Sequence, residues 1–370
     1  MPEALLAPTA GPLATLLSRA HAAGAADVHL KAFETPKMVR FGEVLPIDPA
    51  AEALGPQEVE RLVFSVLPPH SADAFGAELE LDASFALEGI ARFRLNVYRA
   101  GGHLGAVIRI IPDEIRTIEQ LGLPPSLKRL VFERQGLVLV TGPTGSGKTT
   151  TLAALVDCFN RTRAGHIVTI EDPIEVLHPP KRCVLTQREV GHDTRGFAQA
   201  VRAALRQAPN VILIGEMRDR ETIEMALKAA ETGHLVLSTL HTNDAVQSIR
   251  RIVNSFPPHE QEPIRIQLGN ALKGTIAQRL VPRCDRPGRV PALDVLVCTA
   301  TVRDAILKNR LDDLYDLIHN GAYDGMMSMN QSLLHHFRNG VVDFDTALSY
   351  SENPAQLLAL VRDSLRSIPR

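Results

Sequence analysis

Hydrophobic and polar positions follow two different patterns along this chain, and the pattern changes near residue 112. Before it, apolar residues at helical spacing predict helices over 13–23 and 57–67, the second ended by Pro68-Pro69. Segments with strand character are 27–33, 38–41, 90–98 and 105–111. Residues 1–111 are therefore predicted to form a small α+β domain.

From residue 127 the apolar runs become short and unbroken, and helical stretches separate them. The four runs are 137–140, 167–170, 211–214 and 235–240. This pattern is typical of a parallel sheet covered on both faces, so we expect an α/β domain over 127–300. The proline-bearing segment 112–126 is predicted to be a linker, and 301–370 a helical C-terminal region.

Composition narrows the classes of protein that the chain can represent. Its 370 residues suit two or three domains, and 40 Lys plus Arg against 42 Asp plus Glu give a net charge of −2. That balance argues against a dedicated nucleic-acid binder. The four cysteines lie far apart and form no CxxC pair, so a zinc ribbon is not expected. Because no apolar run reaches about 18 residues, we expect a cytoplasmic protein without a membrane span.

A phosphate-binding loop is the sharpest chemical signal. The segment 142–149 fits GxxxxGK[ST], follows the apolar run 137–140 and opens a helical stretch. Its glycines allow backbone N–H groups to converge on phosphates, Lys148 reaches the β- and γ-phosphates, and the Thr149 hydroxyl binds Mg²⁺. The predicted nucleotide-binding residues are Gly142, Pro143, Thr144, Gly145, Ser146, Gly147, Lys148, Thr149 and Thr150.

Carboxylates follow two of the apolar runs. Glu216 comes just after 211–214. A carboxylate at a strand end fits a helix cap, and beside a phosphate loop it also fits the Mg²⁺ shell. Three acids lie within 171–175 at the end of another run. They fit either surface turn chemistry or the orientation of water for attack on a γ-phosphate.

Two histidines, His234 and His241, bracket the run 235–240. Each alone fits a structural histidine, and the pair also fits a γ-phosphate sensor at the end of a strand. No third ligand lies at a spacing suited to zinc.

Four ordered segments carry a resemblance to a known family: TGPTGSGKTTTLAAL, HIVTIEDPIEVLH, LTQREVGHDTRGFAQAVRAALRQAPNVILIGEMRD and AAETGHLVLSTLHTNDA. They are similar to the hexameric secretion-type ATPases, and within these to the type IV pilus retraction motors, the PilT/PilU group. The resemblance covers nearly the whole chain and is strongest over 136–257. It implies a PAS-like N-terminal domain and a RecA-like ATPase domain, arranged in a ring with nucleotide between neighbouring subunits.

The resemblance also implies roles for single residues. It makes 142–149 the Walker A loop, Glu171 the group that polarises the attacking water, and Glu216 the Walker B carboxylate. The family's histidine pair falls on His234 and His241. Three N-terminal arginines match family arginines that approach phosphates, often across the interface: Arg92, Arg94 and Arg109. From the residues alone these arginines equally fit the solvated side of a hairpin.

The family likeness is weaker near the C-terminus. Segment 301–308 matches only part of an Ala-Ile-Arg type helix signature of the retraction motors, whereas 325–333 fits their Gly-Met and Asn/Asp-Gln pattern. The principal motor and an accessory paralogue therefore both stay open.

The function that the resemblance implies is an ATP-hydrolysing, Mg²⁺-dependent homohexamer that powers pilus retraction and twitching motility. Its expected partners are an inner-membrane pilus platform protein and a paralogous pilus ATPase, with peripheral membrane association through partners and no nucleic acid. One alternative is an extension or type II secretion ATPase, which the absence of zinc-binding cysteines disfavours. Another is a nucleotide-gated scaffold with negligible turnover.

Overall fold

The structure is a computed structural model, and it describes residues 5–6, 11–67, 75–76, 79–111 and 115–366. The predicted helix stop at Pro68-Pro69 and the first three residues of the predicted linker, 112–114, lie outside the described residues. The chain divides into two compact units, Met1–Glu114 and Ile115–Arg370.

The first unit is a seven-stranded sheet with helices α1 (Pro12–Ala22) and α2 (Pro56–Phe64) packed into one core with it. Its strands are β1 Leu5–Leu6, β2 Asp27–Lys31, β3 Lys37–Arg40, β4 Glu43–Pro46, β5 Glu80–Leu87, β6 Ala91–Ala100 and β7 His103–Ile111. They lie in the order β1-β5-β6-β7-β2-β3-β4, antiparallel except for β1 beside β5. The α+β expectation agrees with this unit, although β4 and β5 were not predicted. Strand β4 has only four residues and is mostly exposed, and the first half of β5 has no buried residue.

The β6–β7 hairpin has one face toward the core of the first unit and one face away from it. Its two-residue turn is Gly101-Gly102, with φ of 61° and 83°, a left-handed conformation that glycine adopts without strain. Phe93 and Leu95 are buried, so the residues between them face away from the core. Arg94 lies directly opposite a residue of β7, Arg109, and the two side chains therefore share the outer face.

The second unit is built on a second seven-stranded sheet, whose order is β10-β9-β11-β12-β8-β13-β14. Its strands are β8 Gly136–Thr141, β9 Gly165–Glu171, β10 Cys183–Glu189, β11 Val211–Ile214, β12 Leu235–Leu240, β13 Leu272–Pro282 and β14 Arg289–Val297. All neighbours are parallel except β13 and β14. Every residue of β8, β11 and β12 is buried, as unbroken apolar runs predict.

Helices cover both faces of this sheet. They are α3 Leu127–Val131, α4 Lys148–Thr162, α5 Phe197–Ala204, α6 Arg220–Glu231, α7 Ala245–Asn254, α8 Pro258–Ala271, α9 Ala300–Leu307, α10 Asp313–Asn320, α11 Met329–Arg338, α12 Phe344–Tyr350 and α13 Pro354–Arg366. Helices α3 and α4 share one core with the sheet, and α5 to α10 share the core on the other face. The α/β class predicted from the sequence is thus confirmed. None of the described helices is both long enough and apolar enough to cross a membrane.

Candidate functional site

Four neighbouring parallel strands of the second unit end at one side of the sheet, which we call the carboxyl edge. At this edge Thr141 of β8 lies opposite Leu240 of β12. Ile214 of β11 lies opposite Ser238 of β12 on one side and Ile170 of β9 on the other. The register therefore gathers the groups that end or follow these strands: the loop 142–149, Glu171, Glu216 and His241.

The loop 142–149 bends tightly from β8 into α4, which begins at Lys148. Gly142 and Gly147 both have positive φ, 143° and 88°. The first turn of α4 carries no acidic residue, so the positive end of the helix dipole is not offset. Lys148 Nζ donates to the carbonyl oxygens of Gly142 at 2.8 Å and Pro143 at 3.1 Å. The loop thus presents backbone donors and an ammonium group, as phosphate binding requires.

The remaining predicted members of the loop differ in exposure. Pro143, Thr144 and Gly145 form its exposed tip, and Ser146 is buried against the sheet. Thr149 is partly buried and Thr150 is exposed in the first turn of α4. Phosphates approaching the helix start would therefore meet the tip and the first turn of α4 together.

Lys148 lies in a negative environment. Partial burial lowers the pKa of Lys148, and the carboxylates of Glu216 and Glu175 oppose that shift. The two acids belong to different loops of the carboxyl edge. Their effect on one amine places them within electrostatic reach of the phosphate loop.

Glu171 is a buried carboxyl group at the end of β9. Its Oε1 accepts hydrogen bonds from Thr169 Oγ1 at 2.6 Å and from Gln187 Nε2 at 3.2 Å. Burial raises the pKa of Glu171 to about 7, although both hydrogen bonds act in the opposite direction. A carboxyl group that titrates near neutral pH is suited to accept a proton from water.

Glu216 joins two other side chains of the carboxyl edge. Its Oε2 lies 2.9 Å from Arg218 Nε, and its Oε1 lies 3.1 Å from His241 Nε2. Because a carboxylate only accepts, His241 donates its Nε2–H in this contact. The structure therefore brings Glu216 and His241, two candidate residues of the sequence analysis, together at the carboxyl edge.

His234 lies at the other end of β12, on the side that we call the amino edge. The strand between the two histidines has six residues, which span about 20 Å. His234 Nδ1 donates to the carbonyl oxygen of Ala229 at 3.1 Å, a contact that ties it to the end of α6. Within one chain the fold does not bring His234 to the phosphate loop.

The three predicted arginines lie on the outer face of the first sheet. Arg109 Nε donates to Asp27 Oδ1 at 2.8 Å, and Arg94 Nη2 lies 3.9 Å from Asp82 Oδ1. Arg92 Nε is buried and has no hydrogen-bond partner within the described part of the chain. The shared face agrees with both interpretations of the sequence, phosphate contact and a solvated hairpin side.

Sequence reasoning missed two glutamines at this site. Gln187 on β10 donates to Glu171 and to the carbonyl oxygen of Val176 at 2.9 Å, so it orients the carboxyl group. Gln278 on β13 is 3% exposed and contacts the phosphate loop from below. No local sequence signal marks Gln278, because Lys273 and Arg279 on the same strand also interrupt its apolar pattern.

The donor set fits a magnesium ion held mainly by a nucleotide. Among the described residues no three His, Cys, Asp or Glu side chains form a metal cage. Magnesium bound with phosphates needs only one or two protein ligands and keeps several waters. The Thr149 hydroxyl and the Glu216 carboxylate, both at the carboxyl edge, are suited to this role.

Known proteins similar to this chain identify its family. A family model described as "Type II/IV secretion system protein" matches residues 4–312. The type IV pilus retraction ATPase PilT of Pseudomonas aeruginosa is 42% identical over 90% of this chain and 95% of its own length. PilU, a type IV pilus ATPase of the same organism, is 37% identical over 92% and 88%. A crystal structure of the pilus retraction motor PilT with bound ADP has a TM-score of 0.86 at 40% identity, covering 95% and 99% of the two chains.

Proposed function

This chain is an ATPase of the Type II/IV secretion system protein family, and we propose that it is a motor that retracts type IV pili. The observation that carries the proposal is the likeness to PilT, which extends over both units and nearly the whole of both chains. A match confined to the ATPase core would support only the family. The parallel sheet and its carboxyl edge supply the chemistry that such a motor needs.

The proposed chemistry follows from the groups at the carboxyl edge. The loop 142–149 holds the phosphates, with Lys148 exchanging its loop carbonyl partners for phosphate oxygens. Glu171 orients the attacking water and accepts its proton. His241 holds the Glu216 carboxylate in place by its hydrogen bond. Bound Mg²⁺ supplies neutralisation of phosphate charge, with Thr149 and Glu216 as its protein ligands.

The assembly that we propose is a homohexamer at the inner face of the cytoplasmic membrane. In it, Arg92, Arg94 and Arg109 approach nucleotide from the N-terminal domain, which swings about the boundary between the two units. Most of the predicted linker 112–126 belongs to the second unit, because Ile118 and Leu123 are buried in its core. Arg92 supports this role because a buried guanidinium nitrogen with no partner in the described chain favours an added anion. The pilus platform protein and a paralogous ATPase are the proposed partners.

Two further candidates come from the same family. An accessory retraction ATPase is favoured by the similarity to PilU over most of both chains. An extension or type II secretion ATPase is disfavoured because the four cysteines, at positions 158, 183, 284 and 298, are free and form no zinc cluster in the described chain.

The test is a strain that carries Lys148→Ala, scored separately for piliation and twitching. Hyperpiliated, non-motile cells are the expected result, because pili would assemble but not retract. The matched control is Lys128→Ala, since Lys128 is half-exposed and pairs only with Glu119 among the described acids. Reduced retraction force with normal piliation would favour the accessory role, and wild-type motility would overturn the proposal.

A further inference from the structure

One buried side chain, Gln278, holds the underside of the phosphate loop. Its Nε2 donates to the carbonyl oxygen of Ser146 at 2.6 Å, and its Oε1 accepts from Thr151 Oγ1 at 2.7 Å. Gln278 is 3% exposed and Thr151 is 1% exposed. The amide thus links the middle of the loop to the first turns of α4, across 132 and 127 positions of sequence.

The orientation of the amide is fixed by its partners. The Ser146 carbonyl oxygen can only accept, so the NH₂ group of Gln278 must face it. The amide oxygen then faces Thr151, whose hydroxyl can donate. A flipped amide would set two acceptors against each other at Ser146.

Close packing shows that the loop is shaped around this side chain. A Cβ at Gly142 would lie 2.3 Å from the carbonyl oxygen of Gln278, and one at Gly147 would lie 2.8 Å from its Nε2. Both approaches are shorter than any ordinary contact. The two glycines therefore permit the strand β13 and its glutamine to lie directly under the loop.

The hydrogen bond to Ser146 also sets the direction of a backbone donor. In a planar trans peptide, C=O and N–H point in opposite directions. The Ser146 carbonyl points toward Gln278 on the buried strand, so the Gly147 N–H points away from it, toward the open side of the loop. Backbone N–H groups on that side are the ones that a phosphate would meet.

We propose that Gln278 is a positioning residue for nucleotide binding, which aims the Gly147 N–H at the β-phosphate by holding the Ser146 carbonyl. The inference rests on the proposed nucleotide site. It predicts that removing the amide weakens ADP and ATP binding, because the loop peptide is then free to rotate. Binding of adenosine, which has no phosphate, should not change.

The main test is the dissociation constant for ADP, measured by calorimetry on the full-length protein with Gln278→Leu. We expect about tenfold weaker binding, the order that one hydrogen bond to a charged group contributes. The control is Thr275→Val, on the same strand, whose buried hydroxyl has no hydrogen-bond partner in the described chain. Its ADP affinity should equal that of the wild type.

A second variant separates positioning from a general loss of packing. In Gln278→Glu the protonated acid can donate to Ser146 and accept from Thr151, whereas the carboxylate cannot donate. The ratio of its ADP dissociation constant to the wild-type value should therefore approach one at low pH and rise to about tenfold at high pH. Gln278→Leu should show the tenfold ratio at every pH.

The outcomes are distinguishable. Wild-type ADP affinity in a folded Gln278→Leu, or a Gln278→Glu ratio that does not change with pH, would overturn the role of Gln278. If Gln278→Leu does not fold, the pH response of Gln278→Glu still decides the question. Wild-type ADP affinity in Lys148→Ala would instead show that the proposed nucleotide site itself is wrong.

Discussion

The two edges of the parallel sheet carry the same kinds of polar residue and use them differently. At the amino edge, His234 donates to the backbone oxygen of Ala229, and the amide of His166 donates to the Asn210 side chain at 2.9 Å. At the carboxyl edge, Glu171 has a raised pKa, and Glu216 pairs with the Arg218 guanidinium and accepts a hydrogen bond from His241. At the amino edge these polar groups are satisfied by neighbours that do not titrate, whereas at the carboxyl edge burial shifts the pKa of Glu171 and Glu216 pairs with a charged guanidinium group.

This difference predicts different roles for the two histidines of one motif. A histidine tied to a helix carbonyl has a fixed tautomer and a fixed place, which stabilises the fold. A histidine that donates to a half-buried carboxylate can change what that carboxylate binds. The contrast predicts unequal effects when equivalent residues at the two edges are changed.

The largest effect is expected for Glu171→Gln. Loss of the proton acceptor should lower kcat for ATP hydrolysis by about 10²–10⁴-fold, while ADP affinity stays near the wild-type value. Phosphate release by the purified protein measures the first quantity and calorimetry the second. The matched control is Glu231→Gln at the end of α6 beside the amino edge, where the carboxylate only accepts from Gln267 at 2.7 Å. Equal losses in both variants would break the comparison.

The pH dependence of turnover should show the same group. Glu171 must be ionised to accept a proton, and burial raises its pKa to about 7. The value of kcat should therefore fall below pH 7, by about tenfold for each further pH unit. Stopped-time phosphate assays from pH 5.5 to 8.5 measure this limb. A profile that is flat down to pH 5.5 would contradict the assignment of Glu171 as the proton acceptor.

The smallest expected effect sharpens the contrast between the two histidines. His241→Ala removes the hydrogen bond to Glu216 and should lower kcat by about tenfold. His234→Ala should leave kcat within about twofold and lower the free energy of unfolding by about 1 kcal/mol, the contribution of one hydrogen bond. Turnover and denaturant unfolding, measured on the same preparations, give both numbers. A tenfold loss of kcat in His234→Ala would show that the amino edge also acts in catalysis.

The hydrophobic pattern was enough to predict those strands of the second unit that are unbroken apolar runs. The strands 211–214 and 235–240 have the predicted bounds, because each is an unbroken apolar run between polar turns. The antiparallel pair β13 and β14 was missed, since Lys, Gln and Arg interrupt the apolar pattern of β13. Gln278 was missed for a related reason, because its partner Ser146 lies 132 positions away and nothing local marks the pair.

The distance between the two histidines was missed for a different reason. His234 and His241 look alike in a motif, but they flank a strand, and a strand has two ends about 20 Å apart. The number of residues between them is by itself enough to place them on opposite edges of the sheet. The sequence spacing therefore predicts the separation, but the shared residue type suggests a single site.

The hydrogen bond between Gln278 and Ser146 can form only some time after the ribosome has made the phosphate loop. At about 5–20 residues per second, a ribosome needs roughly 7–26 s to make the 132 residues that separate the two partners. Until β13 pairs with β8, the nascent phosphate loop has its complete motif but no support beneath it. The ability to bind nucleotide therefore arises late in synthesis. A nascent chain that ends before β13 would contain the phosphate-loop motif, but Gln278 would not yet hold the loop in its binding conformation.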